Sequence, residues 1–130
     1  MKILLDTNIF LWMYLKHERY ESRLDKIFKE ADEVYYSVVS IWEIAIKRSG
    51  KGFQDLEIPN NWYDSLINQA EVSEIKCLDI KLEPCQRIET LPLHHRDPFD
   101  RMIIAQAMEN NLAVMTSDKM FSEYDVQVVS

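Results

Sequence analysis

Apolar residues alternate along the first third of the chain between short runs and helical stripes. Residues 2–5 form a short apolar run that predicts a strand, and the apolar positions of residues 9–15 recur with helical spacing. Residues 24–31 carry apolar side chains at the i, i+3, i+4 and i+7 positions of an amphipathic helix, and the β-prone residues 34–37 follow. This region therefore predicts the order strand, helix, helix, strand.

The same alternation continues to the end of the chain. Ser40 and Glu43 match a capping box at the start of a helix that Gly50 and Gly52 close. The remaining predicted segments are helices at residues 59–68, 81–90 and 98–110, strands at 74–78, 112–115 and 126–129, and a helical turn at 119–122. Strands that alternate with helices predict an α/β sandwich with a mostly parallel sheet.

The 130 residues, 47% of them hydrophobic, suffice for one substantial core but not for two ordinary domains, so we expect one domain over residues 1–130. The apolar runs fall far short of the roughly 20 residues that cross a bilayer. Asp6 lies where a secretory signal would remain apolar, and we expect a cytoplasmic protein. Cys77 and Cys85 lack metal-ligand spacing and are expected to be reduced, half-buried thiols.

Four acidic residues are predicted to meet at one edge of the sheet. Asp6 and Asp118 directly follow the first and fourth predicted strands, and the carboxyl ends of parallel strands form the edge where such sheets bind ligands. Glu43 lies in the first turn of the helix after the second strand, and Asp100 in the first turn of the helix before the fourth. A helix that leads into a parallel strand runs antiparallel to it, so its N-terminus lies at this edge too.

These carboxylates predict a cation site. Asp100 lies on the apolar face of its helix, because Ile103, Ile104 and Ala107 stand three, four and seven residues after it. Several inward carboxylates repel one another unless a cation binds them, and Mg²⁺ and Mn²⁺ prefer oxygen ligands. Such a metal can activate an attacking water and stabilise the leaving oxygen of a phosphate ester. The pattern therefore favours hydrolysis of phosphodiester bonds.

The charge of the chain bears on this hypothesis in two opposite ways. A formal net charge of -7 is unlike that of general nucleic-acid binders, which carry an excess of Lys and Arg. Cations held by converging acids would nevertheless reverse the sign that a phosphate meets. Three basic residues between 47 and 51 lie near the predicted pocket, and Arg96 and Arg101 are further candidates for phosphate contact. Arg101 could instead fix the adjacent Asp100 by a charged hydrogen bond.

Some of these residues also have purely structural interpretations. Glu43 could belong to the capping box and pair with Lys47, four residues later, and Asp118 could cap the turn that follows it. Asp97, which precedes Pro98, is better interpreted as a helix N-cap than as a ligand.

Asp6 is harder to interpret as a cap, because Thr7 could serve equally well. His17, His94 and His95 are assigned no catalytic role, since histidines in loops are usually solvated or packing residues. The three tryptophans lie in or beside apolar stripes and are expected in the core or in subunit contacts.

Four segments, in chain order, resemble the acidic motifs of the PIN-domain family, in particular the VapC-type toxin ribonucleases of bacterial toxin-antitoxin pairs. They are residues 4–8 (LLDTN), 40–44 (SIWEI), 97–107 (DPFDR to IAQA) and 116–118 (TSD). The four segments span nearly the whole chain, and DPFDR is the most distinctive of them. At position 8 this chain has Asn where many similar proteins have His.

The resemblance implies a three-layer sandwich around a mostly parallel sheet of about five strands flanked by helices. It also implies a homodimer, Mg²⁺ or Mn²⁺ in the acidic pocket, endonucleolytic cleavage of single-stranded or loop RNA, and a cognate antitoxin that blocks the pocket. Asn8, and Thr116 or Ser117, match supporting polar groups. The implied catalytic and metal-binding set is Asp6, Glu43, Asp100 and Asp118. Within this set the resemblance implies that Asp6 and Asp100 are the direct metal ligands.

Two other functions are compatible with the same residues. The first is a non-catalytic PIN-like interaction module that binds a partner protein or RNA, and metal-dependent cleavage would distinguish it from a nuclease. The second is a metal-dependent phosphatase or phosphotransfer domain with its pocket at the same sheet edge. Such a domain needs a supporting Lys or Thr on a later strand. Thr116 is suitably placed for this, but no equivalent Lys is evident.

Overall fold

Helices and strands alternate along residues 1–53 and 55–130, which are the residues that the computed structural model describes. In chain order the elements are β1 (Lys2–Leu5), α1 (Thr7–Leu15), α2 (Ser22–Glu30), β2 (Glu33–Ser37), α3 (Val38–Arg48), α4 (Trp62–Val72), β3 (Ile75–Leu78), α5 (Leu82–Ile88), α6 (Pro98–Asn110), β4 (Ala113–Met115), a 3₁₀ helix (Lys119–Glu123) and β5 (Val128–Val129).

The strands of the described residues form one parallel sheet in the order β3-β2-β1-β4-β5. β1 is central, and its Ile3 lies beside Val34 of β2 and Ala113 of β4. Parallel neighbours need long crossover connections, which the helices supply. The predicted three-layer sandwich with a mostly parallel sheet is confirmed, and all the strand pairs described are parallel.

Both faces of the sheet are buried, which explains why β1 is apolar at consecutive positions rather than at every second one. Ile3 and Leu5 point into one hydrophobic cluster, to which α1 to α4 contribute. Leu4 points into the other cluster, where Ile103 and Ile104 of α6 pack. The two clusters fix the helices against the central strands and so fix the edge at which those strands end.

The start of α3 differs from the prediction. Ser37 is the N-cap, and its hydroxyl accepts a hydrogen bond from the backbone N–H of Val39 at 3.0 Å. The predicted capping box of Ser40 and Glu43 is therefore wrong, because both residues lie inside the helix. The Ser40 hydroxyl instead lies 2.9 Å from the hydroxyl of Thr7 in the interior. Glu43 consequently belongs to the second turn of α3 and not to the first.

Side-chain exposure corrects one further expectation and narrows another. Cys77 and Cys85 are exposed free thiols and are not half-buried. Of the two positions expected for the tryptophans, Trp12 occupies the core, whereas Trp42 is 55% exposed and meets the ring of Phe99 edge to face, which leaves a subunit contact as its expected role. Within the described part of the chain, no helix has both the length and the apolar character that crossing a membrane requires.

Candidate active site

Asp6 stands at the junction of β1 and α1, and each of its carboxylate oxygens has a different partner. One oxygen accepts a hydrogen bond from the backbone N–H of Ile9 at 2.8 Å and caps α1. The other accepts a hydrogen bond from the hydroxyl of Thr116, at the end of β4, at 2.5 Å. The sequence made Asp6 hard to interpret as a cap. In the structure Asp6 is the cap, and Thr7 is the first residue of the helix.

Burial dominates the electrostatics of Asp6. Its side chain is enclosed, and desolvation raises its pKa from 3.8 to about 6, although the hydrogen bonds from Thr116 and Ile9 act in the opposite direction. The negative charges of Glu43 and Asp118 raise the pKa further. These two acids, predicted to share the sheet edge with Asp6, are therefore near enough to interact with it.

Glu43 is a buried acid with one paired oxygen and one unpaired oxygen. Its Oε2 accepts a hydrogen bond from Nζ of Lys47 at 2.6 Å, which confirms the predicted i, i+4 pair. Its Oε1 is buried and has no hydrogen-bonding partner among the described residues. A buried carboxylate oxygen without a partner is unfavourable, because it has lost its water without gaining a donor. Such an oxygen is suited to ligating a cation.

Asp100 lies in the first turn of α6, as predicted. Asp97 is the N-cap of that helix, and its carboxylate accepts hydrogen bonds from the backbone N–H groups of Phe99 at 2.8 Å and Asp100 at 3.4 Å. The Asp100 side chain is only 19% exposed. Desolvation raises its pKa from 3.8 to about 8, and further contributions come from the negative charges of Asp97, Glu43, Asp6 and Asp118.

Asp118 also divides its oxygens between a cap and the site. Its Oδ1 accepts a hydrogen bond from the backbone N–H of Met120 at 2.9 Å, so Asp118 caps the 3₁₀ helix, as its structural interpretation predicted. Its own backbone N–H donates to the Thr116 hydroxyl at 3.0 Å. Its Oδ2 lies 2.8 Å from Nε2 of His95. The cap fixes the side chain and leaves Oδ2 for the contact with His95.

His95 joins this cluster, although its sequence position indicated no functional role. Its Nε2 lies 3.1 Å from Oδ2 of Asp100 and 2.8 Å from Oδ2 of Asp118. One ligand atom from each of these three residues lies within 4.8 Å of the other two. The only signal in the sequence was the short spacing between His95 and Asp100, because the approach of the loop to the 3₁₀ helix is a tertiary property.

Arg101 does not contact the acids. Its guanidinium donates to the backbone carbonyls of Pro92 at 2.8 Å and Leu91 at 3.1 Å, and so holds the loop before α6. The expectation that Arg101 fixes Asp100 or a neighbouring acid is therefore wrong. Arg96 is exposed and remains a candidate for phosphate contact.

The predicted acids behave as one electrostatic group that fits a divalent cation. Asp6, Glu43 and Asp118 each raise the pKa of Asp100, which requires that all four lie close together. The group offers hard carboxylate oxygens, and Oε1 of Glu43 has no other partner among the described residues. Mg²⁺ or Mn²⁺ prefers such ligands and would offset the mutual repulsion of the acids. Of the supporting polar groups, Thr116 contacts Asp6 and Asp118, whereas Asn8 and Ser117 are exposed.

Comparison with known families covers nearly the whole chain. The family model described as the PIN domain matches residues 3–127. The chain belongs to the PIN-domain family. The resemblance drawn from the four sequence segments is thus confirmed. A comparison with curated protein sequences found no match.

Solved structures share the fold of this PIN domain along their full length. A chain of VapBC2 from Rickettsia felis, bound to a DNA fragment from their promoter, is 15% identical with a TM-score of 0.70, covering 99% of this chain and 98% of that chain. A chain of FitAcB from Neisseria gonorrhoeae is 23% identical with a TM-score of 0.61, covering 98% of this chain and 96% of that chain. A chain of VapBC-5 from Mycobacterium tuberculosis, a member of the VapBC family of toxin-antitoxin systems, is 20% identical with a TM-score of 0.60, covering 98% of this chain and 97% of that chain. These similarities establish the fold.

Proposed function

We propose that this PIN domain is a Mg²⁺-dependent endoribonuclease that hydrolyses RNA phosphodiester bonds, and that Mn²⁺ can replace Mg²⁺. The observation that carries the proposal is the convergence of four carboxylates, two of which have pKa values raised to about 6 and about 8. Such a group is unfavourable without a cation and becomes favourable with one. A site of this kind at the carboxyl edge of a parallel sheet is suited to phosphate chemistry.

We assign the metal to Asp6 and Asp100 as direct ligands, with Glu43 and Asp118 completing the catalytic set. Thr116 and the N-terminus of α1 hold Asp6, and Lys47 holds Oε2 of Glu43 so that Oε1 is directed away from it. When bound, the cation would supply activation of a water molecule and stabilisation of the charge that develops on the phosphate. The chain itself supplies the orientation of the carboxylates and a buried, weakly hydrated surrounding.

The same cation resolves the conflict between a net charge of -7 and an RNA substrate. A phosphate approaching the pocket would meet the field of the ion rather than that of the acids, because the ion is the largest local charge. Recognition of RNA would then depend on this one edge of the sheet and not on a broad basic surface.

We further propose that the protein is the toxin of a toxin-antitoxin pair in the cytoplasm. The support is the similarity in fold to VapBC and FitAcB chains, one of which belongs to a named toxin-antitoxin family. The proposed partners are a cognate antitoxin that covers the acidic edge and a second copy of this chain in a homodimer.

The deciding experiment uses the purified chain, free of any partner, and a pool of structured and unstructured RNA in Mg²⁺, Mn²⁺ or EDTA. Cleavage is expected only with a metal and is expected to be lost in Asp100→Asn. Asp125→Asn is a matched control, because Asp125 is an exposed acid that precedes β5 and so lies at the opposite edge of the sheet.

Two results would contradict the proposal. Cleavage that persists in EDTA would exclude the metal, and full activity of Asp100→Asn would exclude that residue. An absence of cleavage, together with an absence of divalent-ion binding in calorimetry, would favour the non-catalytic interaction module instead.

A further inference from the structure

A histidine outside the acidic tetrad lies between two of the tetrad's members. Nε2 of His95 is 2.8 Å from Asp118 and 3.1 Å from Asp100, so a single nitrogen is within hydrogen-bonding distance of two carboxylates. The imidazole is only 14% exposed and packs edge to face against Phe121, with the ring centroids 5.8 Å apart. Its orientation is therefore set by packing as well as by the acids.

The other ring nitrogen defines the tautomer of His95. The backbone N–H of Asp97 donates to Nδ1 at 3.1 Å, and a nitrogen that accepts a hydrogen bond carries no proton. In the neutral imidazole the proton then resides on Nε2, which donates to Oδ2 of Asp118 at 2.8 Å, and Oδ2 of Asp100 lies 3.1 Å from the same nitrogen. Nε2 in this tautomer has no lone pair to offer a cation. The geometry thus excludes His95 as a ligand in this arrangement and makes it a partner of ligands.

The loop that carries His95 is held by two side chains from other elements. The hydroxyl of Tyr124 accepts hydrogen bonds from the backbone N–H groups of His94 at 3.0 Å and His95 at 2.7 Å. The guanidinium of Arg101 donates to the carbonyls of Pro92 and His95, at 2.8 and 3.4 Å. Tyr124 and Arg101 therefore both bind the backbone of the loop, which fixes the position of the imidazole.

We propose that His95 is a positioning residue of the site, whose Nε2–H binds Asp118 and lies between Asp118 and Asp100, so that it keeps the two carboxylates at the spacing that a divalent cation needs. The inference extends the proposed nuclease function and rests on it for its catalytic consequence. An N–H between the two acids offsets their repulsion and limits their rotation, while Oδ1 of Asp100 stays free for a cation. Hydrogen-bonding partners of this kind commonly determine the orientation of metal ligands.

The first test measures Mn²⁺ affinity by calorimetry without RNA. His95→Ala is expected to lower the affinity by a factor on the order of 10 to 100, the usual cost of removing a partner of a metal ligand. His95→Gln, whose amide nitrogen can donate from a similar position, should recover much of the loss. His94→Ala is the matched control, because His94 is adjacent and exposed and its ring packs on Tyr124 rather than on the acids. Urea unfolding of each variant identifies any that fails to fold.

The second test examines the tautomer by nitrogen NMR of the imidazole in the metal-free protein. A proton on Nε2 and none on Nδ1 of His95 would support the proposal. A proton on Nδ1 with none on Nε2 would overturn it, because Nε2 would then be an acceptor and could not donate to Asp118, whereas an imidazolium protonated on both nitrogens still donates from Nε2.

The outcomes for RNA cleavage separate this proposal from the proposed function. If wild type cleaves RNA, His95→Ala should lower kcat by a factor on the order of 10 to 100 with little change in KM. Wild-type values of both Mn²⁺ affinity and kcat in His95→Ala would overturn the role of His95 and leave the nuclease intact. If wild type cleaves nothing, the nuclease proposal fails, and the Mn²⁺ affinities and the NMR tautomer alone decide the role of His95.

Discussion

Replacing Asp100 by Asn should stabilise the metal-free protein at neutral pH. Asp100 has a pKa near 8 in the folded protein and 3.8 as a free side chain. Below pH 3.8 the carboxyl is protonated in both states. As the pH rises, the unfolded chain releases the proton first, so the free energy of unfolding falls until the pH reaches about 8. Asparagine has no proton to release and nearly the same shape, so it avoids this loss.

The magnitude follows from the size of the shift. At pH 7 the folded protein keeps Asp100 protonated, about three pH units above the pKa of 3.8 that this side chain has in the unfolded chain. At roughly 1.4 kcal/mol per pH unit, this lowers the free energy of unfolding by about 4 kcal/mol. Part of that cost is repulsion that the neighbouring acids share, so one substitution recovers only a fraction of it. We expect Asp100→Asn to raise the free energy of unfolding by about 2 kcal/mol at pH 7 and by much less at pH 4.

Urea unfolding in EDTA at pH 4, 5.5 and 7 measures this difference, with Asp125→Asn as the exposed control. The gap between Asp100→Asn and wild type should widen steadily with pH. Added Mg²⁺ should then close it, because the ion binds the folded wild type at this site and binds the variant more weakly. A variant less stable than wild type at pH 7 in EDTA would refute the reasoning, since it would mean that the Asp100 carboxylate is favourable in the fold without a cation.

Three further substitutions address the groups that hold the acids. Thr116→Val removes the donor to Asp6 and should lower both Mn²⁺ affinity and stability, the latter by about 1–3 kcal/mol, as measured by calorimetry and urea unfolding. Lys47→Met removes the ammonium group that pairs with Glu43. The substitution should lower stability in EDTA, because Glu43 stays buried without its partner, and should tighten Mn²⁺ binding, because a positive charge beside the site is lost. Arg101→Leu should cost about 2–4 kcal/mol and speed hydrogen exchange in the loop before α6, whereas unchanged exchange would contradict the role of Arg101.

The order and type of most elements could be predicted from the sequence, because apolar periodicity reports burial directly. The apolar run of residues 2–5 correctly predicted β1, whose apolar residues are consecutive because the strand is covered on both faces. Helix starts were less predictable. Asp97 and Pro98 marked the start of α6 correctly, because a capping acid followed directly by proline is typical of the first turn of a helix. The sequence predicted Ser40 as the cap of α3, but Ser37 is the cap, and only tertiary packing places Ser40 against Thr7.

The sequence predicted which acids belong to the site better than it predicted the contacts that these acids make. The placement of acids after strands and at helix starts predicted that Asp6 and Asp100 would share an edge, and the electrostatic interaction between them agrees. The position of His95 depends on Tyr124 and Arg101, which lie 29 residues after and 6 residues after it, respectively. The contact with Tyr124 is long-range, and nothing local to the loop encodes it. Long-range hydrogen bonds of this kind determine how a site is held, and hydrophobic periodicity does not report them.

Capping and function are not competing interpretations of the acids in this fold. A cap uses one carboxylate oxygen and fixes the torsion angles of the side chain, as Asp6 and Asp118 both show. The second oxygen is then held at a defined place at the sheet edge. Thr116 contacts the second oxygen of Asp6, and His95 contacts the second oxygen of Asp118. A parallel sheet starts helices and turns at the edge where its strands end. The fold therefore places capping carboxylates side by side, and their repulsion supports the cation that we propose at this edge.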